Sequence, residues 1–329
     1  MSSRFALLTG LLLGCHGPQR PVEPSVAKER EPLAARVERI VNARAEPAAV
    51  VVLDASRHVL ALAGARGLDP KSSALRPGSS VKPLLAAVAA RAGVLDPSAT
   101  TQCNRASAVV DGLYCYDRHG PLALTQAIEV SCNEYFYALA HRVGLANVRA
   151  GFTEFGFGTA TGLVAGEDVG VLPGVEQLTA LRSEGSEPWS GWAPLMGGGH
   201  GPIQLTLLQL ASGYWKLAQR LDRPSAELSE GERAAFPKLR EGLKRVVSGE
   251  HGTGRAARVD GMDIAGKTGT AEDGAFVYPM PEAAQENGWF VGFTPSERPR
   301  WVVAVSLRGK TGREAAALAG DVFRALQSY

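Results

Sequence analysis

The β-favouring runs of this chain lie toward its two ends, and most of the sequence between them is helical in composition. Ala48 to Leu53 and His58 to Ala63 are apolar runs separated by the turn Asp54-Ala-Ser-Arg57, the pattern of a hairpin. Met262 to Ala271, Trp289 to Phe293 and Trp301 to Leu307 are three further β runs, and Glu314 to Leu326 closes the chain as a helix with apolar faces. Strands gathered at the two ends with short or hairpin links favour one antiparallel sheet built from both chain ends. Leu33 to Ala45 has apolar residues at a helical period and precedes the hairpin. The middle supplies a helix ending near Arg91, a helical stretch from Leu122 to Val143, and helices at Leu205–Leu217 and Glu230–Val247. Ser131-Cys132-Asn133 interrupts the second of these with small polar residues, so two helices are expected to meet there. Gly144 to Gly174 reads as a glycine-rich loop. The expected fold is α+β: an antiparallel sheet with flanking helices, a helical lobe, and a groove between them. A chain of 329 residues, 45% hydrophobic, has material for such a core.

Lys and Arg total 35 against 33 Asp and Glu, a net charge of +2 that gives no argument for a nucleic-acid partner. No apolar run reaches the roughly 18 residues of a spanning helix. The N-terminus instead reads as a targeting segment: Arg4, then an apolar run from Phe5 to Leu13, then Gly14-Cys15. Residues 1–15 are therefore expected to be a signal peptide, residues 16–32 a Pro-rich tether, and residues 33–329 the folded domain. Leu12-Leu13-Gly14-Cys15 resembles the lipobox of bacterial lipoproteins, which implies lipidation at Cys15 and attachment to a membrane facing the periplasm or the cell exterior.

Export bears on the other three cysteines. Cys103 and Cys115 flank a short polar stretch and are the candidate disulfide in an oxidising compartment, leaving Cys132 free. A zinc site is not expected, because there is no C-x-x-C pair and no His-rich partner motif.

A Gly-rich turn, Arg76-Pro-Gly-Ser-Ser-Val-Lys82, leads into a run of good helix formers. Ser79 is expected at the helix start with Lys82 three residues on, on the same face. A lysine so placed can deprotonate the serine, and the helix start can help hold an oxyanion. On its own this pair is common on solvated helices. Two more short motifs follow: Ser131-x-Asn133, which alone would read as helix capping, and Lys267-Thr268-Gly269, which alone would read as a strand-end turn.

Taken together and in order, the three resemble the S-x-x-K, S-x-N and K-T-G set of the penicillin-binding protein and serine β-lactamase superfamily. The resemblance runs from about Ala48 onward. It includes Pro77-Gly78, Ser131-Cys-Asn-Glu-Tyr-Phe-Tyr137, Gly266-Lys-Thr-Gly-Thr-Ala-Glu272 and Trp289-Phe-Val-Gly-Phe293. In these stretches it looks most like the transpeptidase domain of class B penicillin-binding proteins. The resemblance implies that Ser79 is the acylated nucleophile and Lys82 its base, with a pKa lowered in part by Lys267. Ser131 would pass the proton to the leaving nitrogen, and Asn133 would hold Lys82 and the substrate amide. Lys267, Thr268 and Gly269 would bind the substrate carboxylate with help from the Thr270 hydroxyl, and the N–H groups of Ser79 and Thr270 would form the oxyanion hole. No cofactor is implied. The implied partners are peptidoglycan stem peptides and, as covalent inhibitors, β-lactam antibiotics.

Other catalytic readings lack their residues: there is no G-x-S-x-G elbow, no H-E-x-x-H and no phosphate-binding G-x-x-x-x-G-K-[ST]. Gly197 to Gly201 resembles the family's glycine turn, with His200 as a loop histidine. Glu167-Asp168 lies near the position of a class A deacylating loop but has no Asn four residues on, and Asn133 argues against class D enzymes. The expected activity is a D,D-transpeptidase or D,D-carboxypeptidase. A β-lactamase-like hydrolase and a β-lactam- or muropeptide-sensing lipoprotein are the alternatives.

Overall fold

The computed structural model describes residues 31–272 and 285–329. The expected signal segment with Cys15, the expected tether up to residue 30 and residues 273–284 lie outside the described residues. Chain order gives α1 (Leu33–Asn42), β1 (Ala48–Asp54), β2 (Val59–Ala65), and a 3-10 turn at Gly78–Val81 that runs directly into α2 (Lys82–Arg91). It continues with β3 (Thr101–Cys103), β4 (Gly120–Leu122), α3 (Leu124–Glu129), α4 (Asn133–Val143), α5 (Leu145–Glu154) and α6 (Val175–Leu181). A short hairpin of β5 (Ser183–Glu184) and β6 (Glu187–Pro188) precedes α7 (Trp192–Gly197), α8 (Leu207–Leu221) and α9 (Glu230–Ser248). The chain ends with β7 (Ala265–Glu272), β8 (Glu286–Thr294), β9 (Trp301–Arg308) and α10 (Gly312–Gln327).

The main sheet has the order β2-β1-β9-β8-β7 and every pairing in it is antiparallel. β1 from the start of the domain pairs with β9 from its end, with Val50 opposite Val305, as expected of a sheet made from both chain ends. β1 is buried along almost its whole length, which suits a strand covered on both faces. α1 and α10 pack on the sheet, and α8 contacts β1, β8 and β9. Capping boxes start the long helices: Thr206 with Gln209 for α8, Ser229 with Glu232 for α9, and Thr311 with Glu314 for α10.

α2 is the centre of the helical part. Every residue from Lys82 to Ala90 is buried, which explains why this helix shows no polar face. Its alanines let α4, α5, α8 and α9 approach it. Two helices do meet at Ser131-Cys132-Asn133, where Ser131 takes φ 58° between α3 and α4. One expectation is corrected. Leu145–Glu154 is a helix and not part of a glycine-rich loop. Its Val148 and Phe152 face the core, and Gly151 is there because a Cβ would lie 2.2 Å from Val88 Cγ2 of α2. That glycine serves helix packing rather than a turn.

Candidate active site

Ser79 sits in the 3-10 turn, and α2 itself begins only at Lys82. In a 3-10 turn residues three apart eclipse, so the S-x-x-K spacing puts Ser79 and Lys82 in line. The turn is clamped by buried hydrogen bonds. Tyr214 Oη donates to the Ser80 carbonyl at 2.7 Å, Ser80 Oγ donates to the Pro77 carbonyl at 2.8 Å, and Trp289 Nε1 donates to the Arg76 carbonyl at 2.8 Å. Gly78 has φ +53° and its N–H donates to the Gly199 carbonyl at 3.0 Å, which ties the glycine turn 197–201 to the turn bearing Ser79. A Cβ on Gly78 would stand 2.4 Å from the Thr270 carbonyl oxygen. The backbones carrying the expected oxyanion donors, Ser79 and Thr270, therefore meet at one junction.

Lys82 is fully buried at the foot of this turn. Its Nζ donates to Asn133 Oδ1 at 2.6 Å and to the Ser131 carbonyl at 2.8 Å, with Ser131 Oγ at 3.5 Å. The Phe136 ring lies 5.4 Å from the same nitrogen. Burial pushes the Lys82 ammonium down to about 8, and the thiols of Cys115, Cys132 and Cys103 pull it the other way. Lys267 is also fully buried; burial first and then the charge of Lys82 hold it well below the usual lysine range. Lys82 thus disfavours charge on Lys267, while Lys82 itself is lowered by burial rather than by Lys267, a correction to the role the resemblance implies.

Lys267, Thr268, Gly269 and Thr270 lie on β7, the sheet edge next to the nucleophile turn. Gly269 permits this approach: a Cβ there would be 2.5 Å from the Pro77 oxygen and 2.9 Å from the Ser80 nitrogen. Thr268 Oγ1 is 2.6 Å from Thr253 Oγ1, and Thr270 Oγ1 accepts from the Gly312 N–H at 2.9 Å. Sequence reasoning missed Thr253, whose only signal was its place between Gly252 and Gly254 after α9. His200 lies in the loop after α7, as expected. That ring shares with Arg76, Tyr114, Asn133, Tyr137 and Thr270 the lining of a cavity of about 310 Å³. Burial, then the cations Lys82 and Arg76, push His200 down to about 4, so it is neutral at pH 7. A larger cavity, about 950 Å³, opens on the Thr253 side and includes Glu129, His251 and Arg313.

The expected Cys103–Cys115 disulfide is corrected. Cys103, Cys115 and Cys132 are all buried free thiols. Folding brings Cys103 and Cys115 together, but each faces the His119 ring, and Cys115 also faces Cys132. These four residues are the one place among the described residues where three or more metal-ligating side chains cluster. The absence of a C-x-x-C pair concealed it.

A profile of the penicillin binding protein transpeptidase domain matches residues 48–328. The peptidoglycan D,D-transpeptidase MrdA of Acinetobacter baumannii is 28% identical over 290 residues, covering 75% of this chain and 41% of that protein. The probable peptidoglycan D,D-transpeptidase PenA of Neisseria flavescens is 30% identical over 334 residues, covering 87% of this chain and 75% of that one. The solved structure of PBP2 from Pseudomonas aeruginosa in complex with WCK 5153 superposes with TM-score 0.73 at 26% identity, covering 89% of this chain and 73% of the other. The chain spans less than half the length of MrdA, and the profile match over 48–328 takes in all three motifs. By its fold, its motif set and the extent of the match, this chain belongs to the penicillin-binding protein transpeptidase domain family.

Proposed function

We propose that this chain is a serine D,D-transpeptidase acting on peptidoglycan stem peptides. The observation that carries this reading is the buried Lys82, held by Asn133 Oδ1 and the Ser131 carbonyl beside the Ser79 turn. Ser79 Oγ attacks a stem-peptide amide carbonyl while Lys82, as the free amine, takes its proton. The developing oxyanion is held where the Ser79 and Thr270 backbones meet. The C–N bond then breaks. Lys82 passes the proton to Ser131 Oγ as the Ser131 hydroxyl gives its own to the departing amine, which leaves an ester on Ser79. An acceptor amine from a second stem peptide attacks that ester and restores the Ser79 hydroxyl. Lys267 and Thr268, with Thr253 behind Thr268, hold the substrate carboxylate.

Glu167 supports transfer over hydrolysis. Its carboxylate accepts from the N–H groups of Thr161, Leu163 and Val164. Burial pushes this carboxyl up, but those donors outweigh it and hold it below the usual range. The group is committed to its own loop rather than to activating water.

The lipobox-like Leu12-Leu13-Gly14-Cys15 supports export and a lipid anchor on Cys15. Cys15→Ser would release the protein from membranes; full membrane retention of that variant would overturn the anchor.

The first test is intact-mass analysis of the protein with a penicillin over time. A lasting adduct on Ser79, followed by exchange of a stem peptide onto an amine acceptor, is the expected result. Rapid loss of the adduct with consumption of the drug would replace this reading with a hydrolase. No adduct would overturn acyl-serine chemistry altogether.

A further inference from the structure

Cys103 lies at the end of β3 opposite Gly120 of β4, His119 immediately precedes β4, Cys115 lies in the loop between them, and Cys132 sits at the turn between α3 and α4. Their four ligand atoms all lie within 4.8 Å of one another, and all three thiols are buried. The nearest separations are 3.5 Å from Cys103 Sγ to His119 Nδ1, 3.4 Å from Cys115 Sγ to His119 Nδ1, and 3.9 Å from Cys115 Sγ to Cys132 Sγ. A tetrahedral zinc ion with Zn–S of about 2.3 Å and Zn–N of about 2.0 Å has edges of about 3.8 Å between sulfurs and about 3.5 Å between sulfur and nitrogen. These three separations match those edges, and the remaining pairs lie within 4.8 Å, whereas a disulfide needs sulfurs at about 2.05 Å. Three sulfurs and one imidazole suit zinc and complete its four positions, as in structural rather than catalytic sites.

The surroundings fit a ligand set. The Asn133 N–H donates to Cys115 Sγ at 3.2 Å, and the Tyr116 ring meets the His119 ring edge-on at 5.0 Å, which orients the imidazole. Residues 104–119 form a long connection with almost no regular structure, of the kind that needs a clasp. The same connection touches the catalytic centre: Asn133 Nδ2 donates to the Tyr114 carbonyl at 3.1 Å while Oδ1 of the same amide accepts from Lys82.

We propose that Cys103, Cys115, His119 and Cys132 bind one Zn²⁺ as a tetrahedral structural site, and that the ion positions Asn133 by fixing the loop to the S-x-N turn. Binding releases the thiol protons to solvent and involves no redox change. The ion site stands apart from the acyl-transfer reading; only its effect on Asn133 rests on that reading.

The test starts with metal analysis of the full chain as isolated, without any penicillin. About one zinc per chain is expected. Replacement by Co²⁺ should give a thiolate-to-cobalt absorption band in the near ultraviolet and intense visible bands of tetrahedral cobalt, both weakened in Cys103→Ser and His119→Ala. Should those variants fail to fold, the cobalt spectrum of the unaltered protein still reads the ligands. A metal-free chain, a cobalt spectrum without the thiolate band, or a native Cys115–Cys132 disulfide would each overturn the site. Removing zinc with a chelator should slow penicillin acylation at least tenfold, and restoring Zn²⁺, not Mg²⁺, should recover it. An unchanged acylation rate in folded, zinc-depleted protein would overturn the positioning role while leaving the ion site in place.

Discussion

Lys82 Nζ and Asn133 Oδ1 lie 2.6 Å apart, so one amide oxygen aims the amine proposed as the base for Ser79. The same Asn133 is held from its other side by the Tyr114 carbonyl. An asparagine between two fixed partners has one useful orientation, and Lys82 inherits it. Replacing Asn133 with Ala should leave Lys82 with the Ser131 carbonyl and no side-chain acceptor at this distance. A hydrogen bond to a charged group contributes about 1.5–3 kcal/mol, so the second-order rate of penicillin acylation should fall roughly 10- to 150-fold. The rate is read with a fluorescent penicillin and the fold by circular dichroism. A variant acylated at the original rate would show that Asn133 does not position the base.

The pH profile follows from the same lysine. Lys82 must be unprotonated to accept the Ser79 proton, and burial places its titration at about 8. The acylation rate should rise about tenfold per pH unit below that value and level off above it. A rate already flat between pH 6 and 9 would remove Lys82 as the base.

Ser79→Ala removes one half-buried hydroxyl and no packing volume of consequence. Covalent penicillin labelling should vanish while the thermal midpoint moves by no more than a few degrees. Labelling that persists in this variant would mean that another residue is acylated.

Gly269→Ala tests the strand-to-turn contact. The new methyl would meet the Pro77 oxygen and the Ser80 nitrogen, both backbone atoms that cannot rotate away. Overpacking of this kind costs about 1–3 kcal/mol. Because the displaced atoms belong to the nucleophile turn, acylation should drop by more than tenfold even in protein that remains folded. Differential scanning calorimetry and labelling rates, measured together, separate the two effects. Normal acylation in this variant would contradict the need for close approach of β7.

Much of this was legible in the chain. The strands declared themselves through runs such as Val50 to Leu53 and Trp301 to Leu307, and the chemistry through three motifs whose order is far more specific than any one of them. The misses have physical causes. Gly151 reads as a loop former in sequence, yet it lets α5 press against Val88 of α2, a contact no local pattern reports. Thr253 is 15 positions from its partner Thr268 in sequence but 2.6 Å from it in space. Cys103, Cys115, His119 and Cys132 follow no familiar spacing, because they converge through a loop and a helix junction rather than through one compact turn. Where function depends on tertiary convergence of single residues, spacing carries little information.

The pairing of β1 with β9 has a consequence for how the protein matures. A chain emerging N-terminus first presents Ser79 and Lys82 early, but the strand bearing Lys267 and the partner strand that completes the sheet follow only after the intervening helices. The hairpin β1–β2 must wait with one edge open while the intervening helices are made, a long-range closure that is slow by nature. The candidate site is therefore assembled only once β7 and β9 have been made. A nascent or prematurely ended chain would carry the serine without the environment that arms it.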